Sequence, residues 1–170
     1  EVSNIEAWLR RQPAKPKKTQ AELDLESVRR NALEILTLPQ ERRTETLWQV
    51  AIEQNGLVIE HMPRHARTHA NRMAAVRQNG AAIVFFDQNE RTNELRLNAV
   101  GSNGQALRYL APRERTDEML RAAFRQCPAA IQYMSRTERT DEMRDGAIDA
   151  DPHNIRHLEP EERTPQRCLA

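Results

Sequence analysis

The chain has 170 residues, 38% of them hydrophobic and 30% charged, with a mean hydropathy of −0.82. No run approaches the ~18 apolar residues of a spanning helix, and five glycines among so many residues leave too few turns for an all-β fold. Twenty-six basic residues oppose twenty-five acidic ones, and a net charge of +1 gives no broad attraction to nucleic acid or to an anionic membrane.

The first residue is Glu1 rather than Met, which points to a piece of a longer chain. Ser3-Asn4-Ile5-Glu6 has capping-box spacing and opens a helix over residues 1–11 with Ile5, Trp8 and Leu9 on one face. The Pro/Lys-rich stretch 12–19 reads as a linker. It holds all three lysines, Lys15, Lys17 and Lys18; beyond it every basic side chain is Arg or His. A GC-rich genome accounts for this, as does selection against ubiquitin acceptors. Cys127 and Cys168 form no disulfide framework and have no zinc-ligand spacing, so both read as reduced thiols in a cytosol-like compartment.

From Thr44 onward the sequence repeats. Thr44, Thr68, Thr92, Thr116, Thr140 and Thr164 are spaced by 24 residues without insertion. Other places keep the register: Ala51, Ala75, Ala99, Ala123 and Ala147 at the eighth; Gly56, Gly80, Gly104, Pro128 and Pro152 at the thirteenth; Arg67, Arg91, Arg115, Arg139 and Arg163 at the last. A degenerate unit precedes them, with Val28, Asn31, Ile35, Leu38 and Arg43 in matching places. The expected fold is all-α: an α-solenoid of about six 24-residue helix-turn-helix repeats over residues 20–163, with units starting near 20, 44, 68, 92, 116 and 140, then a tail over 164–170.

Within a unit, Thr at the first place is an N-cap, and places four, eight and nine form the buried face of the first helix. In the second of the five regular units place four is Asn71, with Met73 as the substitute. Asn-Gly reads as a stop that uses the left-handed conformation, and Pro128 and Pro152 mark the same boundary as first-turn prolines. A second short helix follows over places thirteen to nineteen, burying fifteen, sixteen and nineteen. Such helices are too short to stand alone and must stack on neighbours. The arginine column, with Glu90, Glu114, Glu138 and Glu162 before it, reads as an inter-repeat ladder of ion pairs and carbonyl caps. The aromatic row at place eighteen (Phe85, Tyr109, Tyr133) reads as partial core.

No P-loop, GxGxxG, HExxH or GxSxG is present, so no catalytic residue, cofactor site or metal site is assigned. Pro63 interrupts the His61/His65 pair, and His65/His69 straddle a unit boundary. Places fourteen and seventeen vary while the core places stay fixed. The candidate partner-binding residues are therefore Leu57 and Glu60, Gln105 and Arg108, Gln132, His153 and Arg156.

The segments AVRQNGAAIVFF and AVGSNGQALRYL resemble the "AVKQNGxALxYAS"-type tandem helical repeats of a bacterial domain family of unknown function, found in secreted effectors. The resemblance covers roughly residues 44–163 and weakens in the last two units, where proline replaces glycine. It implies a helical repeat fold and a bacterial, host-directed protein. The function expected is a non-catalytic protein-binding module, the scaffold or targeting part of a larger protein. The alternatives are a helical-repeat nucleic-acid binder, against which the charge balance weighs, and an accessory domain of an enzyme whose catalytic domain lies outside this piece.

Overall fold

The computed structural model describes residues 17–163, so the expected helix over 1–11, most of the linker over 12–19 and the tail over 164–170 with Cys168 lie outside it. Among the described residues the chain is all-helical, with helices of both kinds making up 73% and no strand. The α-helices are α1 (Gln20–Arg30), α2 (Glu45–Gln54), α3 (His69–Gln78), α4 (Asn93–Ser102), α5 (Asp117–Gln126) and α6 (Asp141–Ala150). From α2 onward they begin 24 residues apart, as the threonine column requires.

Local chemistry sets each boundary. The hydroxyls of Thr44, Thr68, Thr92, Thr116 and Thr140 each accept from the backbone N–H three residues on, at 3.2–3.4 Å. Each satisfies one donor that the helix leaves orphaned. Thr19 caps α1 one place earlier than the column and completes a capping box with Glu22.

The stop works differently from the left-handed one expected. No described residue has a positive φ. Asn55, Asn79 and Asn103 end their helices in extended backbone, at φ −145, −149 and −147. Each side-chain Oδ1 then accepts from the N–H two residues on, at 3.0–3.1 Å, and so caps the following segment. One asparagine therefore closes one helix and opens the next. Asp151 does the same with His153, while Cys127 has no oxygen to do so.

The second helix of each unit is where expected, but it is a 3₁₀-helix: Ala32–Leu36, Gly56–His61, Gly80–Phe85, Gly104–Tyr109, Pro128–Tyr133 and Pro152–His157. Six residues close few i→i−4 bonds, whereas i→i+3 bonding begins one residue sooner and rises about 2.0 Å per residue against about 1.5 Å. The shorter leg thus spans nearly the length of its ten-residue α-helix. Pro128 and Pro152 stand at the first position of theirs, as first-turn prolines should.

Contacts are made between chain neighbours. Each α-helix from α1 to α4 packs on the next in sequence, and successive 3₁₀-helices pack on one another. The 3₁₀-helices from Ala32–Leu36 to Pro128–Tyr133 each also wedge against the α-helix of the following unit. The core runs the length of this stack, from Val28 and Ile35 to Ile148 and Leu158.

Glycine at place thirteen is explained by the closeness of that wedge. A Cβ on Gly56, Gly80 or Gly104 would lie 2.4, 2.0 or 2.4 Å from the carbonyl oxygen of Ala75, Ala99 or Ala123, the eighth place of the next unit. Those alanines are fully buried. Ala99→Leu or Ala123→Leu is expected to destabilise by about 1–3 kcal/mol through overpacking, read as a drop in the denaturation midpoint.

Asn71 does not yield its core place to Met73. Both are buried, and Asn71 Nδ2 donates to Glu45 Oε1 of the preceding helix at 2.8 Å. The amide is tolerated because that carboxylate pairs it.

Candidate functional site

The arginine column is turned inward. Arg67 Nε donates to Met62 O, Nη2 to Glu60 O and Nη1 to Phe85 O, each at 2.9 Å. The first two acceptors end its own unit's 3₁₀-helix, and the third ends the next one. Arg91 repeats this with Phe86 O and Tyr109 O, and Arg115 with Leu110 O, Leu107 O and Tyr133 O. A planar guanidinium can reach carbonyls on two successive layers at once. Arg139 departs, donating to Glu162 Oε2 at 2.7 Å. Burial pulls the Arg67 guanidinium below its ordinary pKa. These groups clasp the stack and are not available as a phosphate-binding row.

A second set of pairs was not anticipated from the sequence. In three of the five regular units place five pairs with place twenty-three: Arg72 with Glu90 at 2.9 Å, Arg96 with Glu114 at 3.1 Å and Arg144 with Glu162 at 2.8 Å; in the unit beginning at Thr116 place five is Leu120, and Glu138 pairs with Arg115. In the first unit the charges are exchanged, Asp24 accepting from Arg42 Nε at 2.8 Å. In the unit beginning at Thr44 the same places hold Trp48 and Ala66, and no charge is present at either. The glutamates also accept from the N–H of place twenty: Glu90 from Asp87, Glu114 from Ala111, Glu138 from Ser135 and Glu162 from Glu159. Where place twenty is Pro39 or Pro63 there is no N–H to cap, and place twenty-three is Arg42 or Ala66. This covariation is internal to the sequence, and aligning places twenty and twenty-three would have exposed it.

Burial raises the Glu162 carboxyl, but the N–H of Glu159 and the guanidinium groups of Arg144 and Arg139 outweigh it and hold its pKa below the ordinary value. Hydrogen bonds from Arg42 and then Gln20 do the same for Asp24. A carboxylate depressed in the folded state stabilises above its unfolded pKa of about 4, and that contribution is lost as pH falls through the lower folded value. Stability is therefore expected to fall below about pH 4, and the double variant Asp24→Asn/Glu162→Gln should be less stable at neutral pH with a shallower acid limb in pH-dependent denaturation.

The outward side belongs to places fourteen and seventeen. In a 3₁₀-helix residues three apart eclipse, so these two places form one edge. Glu60, Gln105, Arg108, Gln132, His153 and Arg156 are exposed there, while Leu57 is half-buried and packs against the core. Since successive 3₁₀-helices pack on one another, the edges align along the stack. Place eighteen lies beside them: Phe85, Tyr109 and Tyr133 are half-buried against the core, as partial core should be. Arg108 holds its guanidinium 4.6 Å above the Tyr109 ring. The α-helical side is different in character. A cleft of about 440 Å³ between α3, α4 and α5 is lined by Arg77, Asn98, Glu118 and Arg125, with charges of both signs.

Among the described residues no three His, Cys, Asp or Glu side chains come together as a metal site, and no helix is long and apolar enough to cross a membrane. No family model, curated protein or solved structure matches the chain.

Proposed function

We propose that the chain is a solenoid of six 24-residue units that works as a non-catalytic, protein-binding module of a larger protein. The observation that carries this is the contrast between the two sides of the 3₁₀-helices. In four of the five regular units the inward places are apolar and buried, whereas place seventeen is exposed in all five and changes from each unit to the next. A stack of short units that fixes its frame and varies one face presents an extended binding surface. The inward turn of the arginine column favours a protein partner over RNA, because the guanidinium groups that would contact phosphates already hold backbone carbonyls. The resemblance to bacterial effector repeats favours a host-directed parent acting in a reducing compartment.

The chain should show no turnover of its own. The four-site variant Gln105→Glu, Arg108→Glu, Gln132→Glu and Arg156→Glu should lose partner capture in a pull-down, with a melting temperature close to that of the unchanged protein. Added RNA should have little effect at physiological salt. Equal capture by the variant would put the binding face elsewhere, and bound RNA with steep salt dependence would replace the protein-binding reading.

A further inference from the structure

Resting on that reading, we infer that the 3₁₀ edge recognises an extended acidic segment of its partner, taking an apolar side chain at Val84 and a carboxylate at Arg108. Both residues occupy place seventeen, in consecutive units. Val84 is 42% exposed, a rare large apolar side chain on this surface, and half-buried Phe85 follows it. Arg108 is exposed, and its fixed contacts are aromatic: the Tyr109 ring at 4.6 Å and the Tyr133 side chain of the next unit. Neither neutralises its charge. The neighbouring outward residues, Gln105, Ala129 and Gln132, bring no carboxylate, although the chain as a whole carries nearly as many acids as bases. Stacking on the Tyr109 ring restricts the guanidinium, so less side-chain entropy is lost when an anion pairs with it. On the α-helical side, by contrast, Glu118 sits in the same cleft as Arg77 and Arg125.

Spacing narrows the shape of the partner. Packed helical rows lie about 8–10 Å apart. A polyproline-II segment turns once every three residues and rises about 3.1 Å per residue, so its side chains i and i+3 face one way about 9 Å apart. An apolar residue followed three places later by Glu or Asp would meet Val84 and Arg108 together. A regular β-strand would not, since its residues i and i+3 point to opposite faces.

The test uses the full chain and two labelled peptides in a proline-rich background, one carrying Leu-Pro-Pro-Glu and the other Leu-Pro-Pro-Gln, with binding read by fluorescence polarisation. The Glu peptide should bind about ten-fold more tightly, as a charge-assisted bidentate pair allows. Arg108→Gln should bring the two peptides within about two-fold of each other, Tyr133→Phe should narrow the difference, and Arg125→Gln on the opposite side should leave it intact. Equal affinities in the unchanged protein, with both weakened by Val84→Asp, would overturn the acidic preference and leave the edge as the binding surface. Binding of neither peptide, or discrimination lost with Arg125 but not Arg108, would overturn both. Displacement of the Glu peptide by polyuridine with steep salt dependence would do so as well.

Discussion

Gly80→Ala is expected to destabilise the protein by about 3 kcal/mol, at the upper end of what overpacking one methyl group costs. The new Cβ would stand 2.0 Å from the carbonyl oxygen of Ala99 and 2.9 Å from its carbonyl carbon. Both are backbone atoms in the middle of the stack, so relief requires α4 to move away from the preceding 3₁₀-helix. The φ of Gly80 is not positive, so the cost is steric and not conformational. Gly101→Ala is the matched control. It places the same methyl on an α4 residue with nothing within 4 Å, and should stabilise by about 0.5–1 kcal/mol through helix propensity. Denaturant midpoints for the two variants should move in opposite directions. Parallel shifts would mean that place thirteen is not where successive units approach most closely.

Arg115→Ala should cost about 3 kcal/mol or more. Its guanidinium donates to Leu110 O, Leu107 O and Tyr133 O, and reaches Glu138 Oε2 at 3.1 Å. Truncation would leave buried carbonyls and a largely buried carboxylate without this partner, and such orphaned groups cost more than the net worth of the bonds. Arg115→Lys should recover little, because one ammonium cannot reach two layers of carbonyls in a fixed plane. The comparison is made by chemical denaturation of the two variants and the unchanged protein. Near-complete rescue by lysine would show that charge near Glu138 matters and the carbonyl clasp does not.

The two variants separate two of the ways in which the units are held. Glycine sets how near a 3₁₀-helix comes to the next α-helix. Arginine then ties the ends of successive 3₁₀-helices together from the side. Gln78 Oε1 and Gln126 Oε1 add a third link by accepting from Gly56 N and Gly104 N, at 2.7 and 2.6 Å. Where Pro128 removes that N–H, the glutamine place of the following unit is Ala150. At Gly80 the same place is Ser102, whose hydroxyl donates to Val76 O and Asn98 O and makes no such link.

The sequence by itself determined the all-helical class, the helix starts and the core. Threonine caps act within one turn, and buried stripes follow from residue spacing, so both can be read locally. It also located the second helix of each unit and the carbonyl caps of the arginine column, while the expected ion-pair ladder is made only at Arg115 and Arg139. Its error lay in the kind of helix and the role of glycine. Asn-Gly is compatible with a left-handed stop, and only the approach of the Ala75, Ala99 and Ala123 carbonyls makes the missing Cβ, and not a positive φ, the reason for glycine. The 3₁₀ form was likewise a tertiary decision, because six residues have little preference of their own and take the geometry that stacks in register with their neighbours. Residue spacing already put places fourteen and seventeen on one face, and the tertiary structure added the guanidinium of Arg108 set over the Tyr109 ring.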